Sequence, residues 1–362
     1  MDGRFMALAL TLGRRGWGRT WPNPAVGAVI AKDGLIVGRG WTQAGGRPHA
    51  EVEALRRAGA DARGATLYVT LEPCSHHGKS PPCADAVIAA GIARVVSVLE
   101  DPNPEVAGAG HARLRAAGVA VDIGLGAEQA RHDHAGHIRR MCDGRPHVIL
   151  KLAASADGKA GAAGRKPVAI TGERARDRVH LLRAHSDAIL TGIGTALADD
   201  PILTCRLPGM VGYSPLRVVL DSRLRLPTHS RLVKSAHEVP LWVVTGPETR
   251  AGAKEALEAA GAAILSVSRT GERLDLAAML RRLAERGISR LMVEAGPILG
   301  AALLEADLVD EVALFRSDTV VGADGIDALE GLPLTALTQS PRFVQVGSET
   351  VGADRCESFE RR

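Results

Sequence analysis

Short apolar runs of strand length alternate with segments of helical spacing along almost the whole sequence, and that alternation leaves few architectures open. After a helix expected over about Phe5 to Arg15, the runs AVGAVIA and LIVGRGW flank Lys32-Asp33-Gly34, which reads as a hairpin turn. HAEVEALRRAG then has helical spacing, TLYVTLEP reads as a strand, PPCADAVIAAG opens on prolines suited to a helix N-terminus, and ARVVSVLED reads as another strand. GHARLRAAG followed by VAVDIG repeats the step. Strand-helix-strand units of this length specify an α/β fold with a largely parallel sheet and helices on its faces.

The basic helix end in HIRRMCDGRPHVILKLAAS gives way to Gly144 and Pro146 and then to a new strand, which places a domain boundary close to Arg145. The expected domains are 1–144 and 145–362. A chain of 362 residues is long enough for two cores, since one domain takes ~100–200 residues. The second half again alternates, with strands in HVILKLAAS, DAILTGIG, LRVVLDS, LWVVTG, AAILSV, RLMVEAG and EVALFRSDTVVG. Helices are expected near Glu173 to Ala184, Leu274 to Arg286 and Pro297 to Leu308, with a terminal hairpin from Phe343.

Charge and composition narrow the function. A net charge of +4 is small for this length, and 3% aromatic residues supply few stacking platforms, so a nucleic-acid partner is not expected. No window approaches the ~18 uninterrupted apolar residues of a membrane helix. The start MDGRFMALALTLGRRG carries Asp2 and Arg4 and no small-residue cleavage site, so the expected setting is the cytoplasm, without membrane contact. Five scattered cysteines form no disulfide framework, and an odd number in a reducing compartment favours thiols or metal ligands.

His49 and Glu51 stand two apart at a helix start, and EPCSHHGKSPPCADA places Cys74 and Cys83 on a loop that enters another helix. Zinc favours soft sulfur and imidazole, and a catalytic site leaves its fourth tetrahedral position to water. His49, Cys74 and Cys83 with an acid beside them therefore describe a hydrolytic centre. Glu51 is that acid, because displacing an amino group from a ring carbon by water needs a group that carries a proton to the departing nitrogen. His76 or His77 as a fourth ligand would close the site into a structural one; otherwise they are loop supports or substrate contacts. Asn23, Lys79 and Asn103 lie on Pro- or Gly-rich loops, where turn chemistry is the plain reading.

In the second half, ILTGIGTALADDPILTCR follows a strand with Gly192-x-Gly194-Thr195, which is not the dinucleotide fingerprint because the third spaced glycine is missing. RLMVEAGPILGAALLEA ends a strand on Glu294 and opens a helix at Gly296-Pro297, a turn whose exposed N–H groups suit a phosphate. Lys151, in HVILKLAAS, reads as a lysine capping a sheet edge.

HAE and PC match the zinc nucleobase deaminase signature in part, the second cysteine being displaced by the inserted SHHGKSPP. With that longer loop, TWPNPAVGAVIAKDG, GRPHAEVEAL, YVTLEPCSHHGKSPPCADA and EDPNPEVAGAG resemble the deaminase half of the bifunctional riboflavin-biosynthesis enzymes. KLAASADGK, LLRAHSDA and LRVVLDSRLRLP, together with the two glycine motifs, resemble that family's reductase half, so the likeness covers nearly the whole length. It implies a cytidine-deaminase-like three-layer domain followed by a dihydrofolate-reductase-like domain. It further implies one zinc ion on His49, Cys74 and Cys83, with Glu51 as proton shuttle and Asn23, Lys79 and Asn103 as pocket contacts, Lys79 suited to a phosphate. NADPH is implied at Ala153, Thr195, Asp199, Ser222 and the stretch Gly296, Pro297, Ile298, Leu299, Gly300, Ala301 and Ala302. A ribose-phosphate substrate is implied at Arg183, Leu203, Arg206 and Glu294, where guanidinium groups match phosphate oxygens two at a time. Asp199 and Glu294 are the candidate proton donors.

The chain departs from the family in GRKPVAITGE, where Pro167 and Ala169 stand in place of a serine and a tryptophan; those contacts do not transfer, and Lys166 is an alternative phosphate contact. The expected activity is deamination of a diaminopyrimidinone carrying ribosylamine phosphate, then NADPH-dependent reduction of its ribosyl group to ribityl, by a homo-oligomer. The rivals are a nucleic-acid deaminase, which needs a basic groove, and a zinc-stabilised binding module in which Glu51→Gln changes nothing.

Overall fold

The computed structural model describes residues 2–362 apart from 79, 166–167 and 249–250. The chain separates into two compact units, Met1–Gly144 and Arg145–Arg362.

The first unit runs α1 (Asp2–Gly13), β1 (Gly27–Lys32), β2 (Leu35–Trp41), α2 (Ala50–Ala58), β3 (Thr66–Val69), α3 (Cys83–Ala89), β4 (Arg94–Ser97), α4 (Ala109–Ala116), β5 (Ala120–Ile123), α5 (Ala127–Asp133) and α6 (Ala135–Asp143). Its sheet has the order β2-β1-β3-β4-β5. Only the β3/β4 and β4/β5 pairs are parallel; β1 runs antiparallel to both β2 and β3, so this sheet is mixed rather than largely parallel. The cause is local. Asp33 and Gly34 both take positive φ, 51° and 78°, the condition for a two-residue hairpin turn, and Lys32 pairs Leu35 across it.

Along β1, Ala28 and Ile30 face a core shared with α2, α3 and α4, while Val29 and Ala31 face a second core shared with α1 and α5. Alternation with both faces covered makes three layers, helix on sheet on helix. The layers touch closely: a Cβ at Gly27 would lie 1.9 Å from the Ala9 carbonyl oxygen of α1.

The second unit runs β6 (His147–Ala154), β7 (Lys159–Gly161), α7 (Glu173–Ala184), β8 (Ala188–Gly192), α8 (Ile193–Asp199), β9 (Leu216–Leu220), α9 (Arg231–Lys234), β10 (Leu241–Thr245), α10 (Ala251–Ala259), β11 (Ala263–Ser266), β12 (Arg269–Thr270) and β13 (Arg273–Leu274). It continues through α11 (Leu276–Glu285), β14 (Arg290–Val293), α12 (Pro297–Glu305), β15 (Glu311–Arg316), β16 (Ile326–Asp327), α13 (Thr335–Thr338), β17 (Phe343–Val351) and β18 (Asp354–Arg361). Nine strands form one sheet in the order β11-β10-β9-β8-β14-β6-β15-β18-β17. Every pairing from β11 to β15 is parallel, and β15/β18 and β18/β17 are antiparallel.

Two helices differ in length from their sequence patterns. Asp275 caps α11, accepting the Ala278 N–H, so the helix starts at Leu276. The α12 helix stops at Glu305, just before Asp307 takes a φ of 60°. The α8 and α10 helices were not legible as helices, and Gly192, the first glycine of the Gly192-x-Gly194-Thr195 motif, is the N-cap of α8.

Candidate active sites

In the first unit His49 is the extended N-cap residue of α2, which puts Glu51 in the first turn, where it is 3% exposed. Cys74 follows the end of β3, and Cys83 opens α3 after Pro82. The Cys83 N–H donates to Cys74 Sγ over 3.3 Å, a backbone donor at a helix start that favours thiolate. Cys74 Sγ and Cys83 Sγ lie 3.7 and 3.3 Å from His49 Nδ1. Tetrahedral zinc with ordinary Zn–S and Zn–N bonds sets sulfur and nitrogen about 3.6 Å apart, so these donors are spaced for that ion. Among the described residues the cluster has three ligands, all within 4.8 Å of one another, and His76 and His77 are exposed outside it.

The electrostatics divide the labour. The hydrogen bond with the Cys83 thiol, helped by His49, holds Cys74 down to about 4 against its burial, whereas Cys74, burial and Glu51 push Cys83 up. His49 is raised, chiefly by its contact with Cys74. Burial pushes Glu51 up to about 7, with His49 pulling the other way. A carboxyl near neutrality both takes and gives a proton.

Asn23 Nδ2 donates to the Gly46 carbonyl (2.8 Å) and lies 3.2 Å from His49 Nε2, on the ring edge opposite the sulfurs. Asn103 uses its side chain in a turn, Oδ1 accepting the Glu105 N–H. Lys79, like Lys166 and Pro167, lies outside the described residues.

Glu72 was not singled out from sequence. Its Oε2 accepts the N–H groups of Asp101 (3.1 Å) and Gly108 (2.9 Å), and Oε1 those of Gly110 (2.8 Å) and His111 (3.1 Å). Glu100 and His111 bring further ligand atoms within 4.8 Å, but with both Glu72 oxygens taken the group ties a loop rather than framing a site. The one signal in the sequence was an acid two residues before a cysteine in an otherwise apolar strand end.

In the second unit Arg183, in the last turn of α7, meets Glu294 as a two-pronged fork, Nε to Oε2 at 2.9 Å and Nη2 to Oε1 at 2.7 Å. Its Nη1 donates to the Thr204 carbonyl. Lys151 lies on β6, which is flanked by β14 and β15, so it does not cap a sheet edge. Desolvation lowers its ammonium, Glu294 opposing and Arg183 adding to that effect. Burial pushes Glu294 up, yet Arg183 and Lys151 outweigh it and hold the carboxyl below its usual range. The Arg206 N–H donates to His180 Nδ1.

Leu203 is an unusual member of this set. It takes a φ of 59° and packs into the core at 2% exposure. Arg217, fully buried, braces the preceding residue by donating to the Ile202 carbonyl and to Ser235 and Val239.

The two glycine motifs come together, since Thr195 Oγ1 in α8 accepts the Gly296 N–H at the start of α12 over 3.0 Å. Pro297 at the first helical position lacks an N–H, which leaves those of Ile298 and Leu299 at the helix mouth. Gly300 and Ala301 are buried, Gly300 against Leu150, Leu152 and Leu329, so they seat the helix, while Ile298 is exposed. Ala153 is half-buried on β6, burial raises Asp199 at the end of α8, and the Ser222 carbonyl accepts from Arg269.

Comparison with known proteins covers both units. The cytidine and deoxycytidylate deaminase zinc-binding region matches residues 1–99, and the RibD C-terminal domain matches residues 146–356. The riboflavin biosynthesis protein RibD of Escherichia coli is 44% identical over 98% of each chain. A solved structure of Acinetobacter baumannii RibD superposes with a TM-score of 0.89 at 35% identity, covering 100% of this chain and 99% of that one. A Thermotoga maritima structure, titled a diaminohydroxyphosphoribosylaminopyrimidine deaminase/5-amino-6-(5-phosphoribosylamino)uracil reductase, gives 0.85 at 33% identity over the same shares. With a zinc-binding deaminase region, a reductase domain and full-length likeness all present, the chain belongs to the RibD family of bifunctional deaminase-reductases of riboflavin biosynthesis.

Proposed function

We propose that residues 1–144 hydrolytically deaminate 2,5-diamino-6-ribosylamino-4(3H)-pyrimidinone 5′-phosphate, and that residues 145–362 reduce the ribosyl group of the product to ribityl with NADPH. The observation that carries this reading is the buried Glu51 carboxyl beside His49, Cys74 and Cys83 spaced for a tetrahedral ion. Zinc held by those three side chains would supply a water acidified at the ion's open position. Glu51 takes up the proton released as the water oxygen bonds to the ring carbon and delivers it to the departing amino group, and a carboxyl near 7 suits both transfers. Asn23, beside the far edge of the His49 ring, is a pocket contact in this reading.

In the second unit NADPH, when bound, supplies the reducing equivalent. The mouth of α12 and Thr195 would hold its phosphates, with Ala153, Asp199 and Ser222 along the cradle. Arg183 and Arg206 face the substrate phosphate, with the Leu203 backbone beside them. Glu294, between Arg183 and Lys151, is the enclosed acid there. The family's activity needs a small-molecule substrate and no nucleic acid. We place the enzyme in the cytoplasm as a homo-oligomer; the exposed edge strand β17, with Val344 and Val346 outward, is a surface such an assembly would cover.

The test follows ammonia release and NADPH oxidation by the zinc-loaded chain. Both are expected with the aminated pyrimidine, and NADPH oxidation alone with the deaminated one. No ammonia from a zinc-replete preparation would falsify the deaminase assignment.

A further inference from the structure

The α5–α6 corner carries two buried histidines that the chemistry above does not use. His134 Nε2 lies 3.1 Å from Thr70 Oγ1, which also accepts the Gly27 N–H. His137 Nε2 lies 2.9 Å from Asp101 Oδ1, the same oxygen that accepts the Asn103 N–H at 2.9 Å. Thr70 directly follows β3 on the way to Cys74, and the Asp101 N–H is held by Glu72, two residues before Cys74. The corner therefore grips two segments that converge on one metal-ligand cysteine.

The Asp101–Gly108 loop is clipped from two sides. Glu72 holds the N–H groups of Asp101 and Gly108, and His137 holds the Asp101 carboxylate. Beyond Gly108, the Gly110 backbone presses on Pro73, where a Cβ would lie 2.0 Å from the carbonyl oxygen, so the segment lies directly against the strand end that carries Cys74. His137 is an awkward residue if packing were its only task. It is 7% exposed, and its Nδ1 is buried without a hydrogen-bond partner, an arrangement that an apolar ring of similar size would avoid. What an apolar ring lacks is the N–H given to Asp101, an acceptor-only partner that fixes the proton on Nε2.

We propose that His137 is a positioning residue for the deaminase. By donating to Asp101 it fixes the Asp101–Asn103 turn beside the Glu72–Cys74 segment, and so sets the wall against which the pyrimidine is held. This inference rests on the deaminase reading of the first unit.

The test uses full-length, zinc-loaded enzyme. For His137→Phe, KM in ammonia release is expected to rise about 10-fold, with kcat little changed, one zinc per chain retained and NADPH oxidation with the deaminated pyrimidine unaffected. His137→Gln, whose amide carries an N–H near the position of Nε2, should return KM to within about threefold of the parent. Asp101→Ala should raise KM as His137→Phe does, and the two together should cost no more than either alone; Asp101→Ala stands in if the Phe variant does not fold. An unchanged KM in His137→Phe overturns the proposal, as does a Gln variant no better than Phe, or a loss confined to zinc content and melting temperature. If the parent enzyme itself releases no ammonia, the deaminase reading fails with it; if the parent is active and the variants match it, only the role of His137 falls.

Discussion

Glu51 is held at about 7 mainly by burial, so it crosses between its two forms near neutrality. The sign follows directly: the ionised form accepts the first proton, so kcat/KM for ammonia release should fall as pH drops below about 7. A pH–rate profile checks this, and one that stays flat down to pH ~5 would contradict it. Glu51→Gln should lower the rate by roughly 10²–10⁴-fold while zinc content and NADPH oxidation persist, whereas a binding module would show no change at all. At this scale the metal centre was largely legible, because His49, Glu51, Cys74 and Cys83 advertise their chemistry by residue type and spacing. Glu72 was not, since its task depends on which backbone groups the fold carries to it. Glu72→Gln offers an amide to two of four N–H donors, so hydrogen exchange at Asp101, Gly108, Gly110 and His111 should accelerate together; acceleration at one amide alone would refute the shared anchor.

Between elements, the first contact of the second unit's sheet is electrostatic. Arg145, just before β6, grips Asp310, just before β15, with both Nη atoms at 2.6 and 2.7 Å, and Asp310 also accepts the Val148 N–H. Burial pushes the Asp310 carboxyl up, but Arg145, His147 and that N–H outweigh it and leave it lowered. A depressed acid contributes stability above its unfolded pKa of 3.8 that is lost as pH falls through the lower folded value. Asp310→Asn should therefore cost about 3 kcal/mol near neutrality and flatten the acid limb below pH ~4, measured by denaturant unfolding. Gly27→Ala, which would drive a methyl into the Ala9 carbonyl, should cost about 3 kcal/mol or more by the same measurement. Strands such as β6, β9, β10 and β15 were plain in the sequence because buried strands are continuous apolar runs. The α8 helix was hidden because glycines at its start read as a turn, and β7, β12, β13 and β16 are too short to carry a period.

For the whole molecule, the alternation of strands and helices announced two α/β units, but strand direction depends on connections that periodicity does not encode, hence the mixed first sheet. If the activities are divided as proposed, stripping zinc with a chelator should abolish ammonia release and leave NADPH oxidation with the deaminated substrate intact. Joint loss of both would show that the ion supports more than the first unit. The position of β18 adds something about biosynthesis. It lies between β15 and β17, so the two outermost antiparallel ladders of the second sheet both depend on residues 354–361. During translation the first unit has all its strands once residue 144 has left the ribosome, whereas the second waits for residues 354–361 to emerge. Until then β15 presents an uncovered, apolar border, and a nascent chain paused there is the form most exposed to chaperones and to sticking.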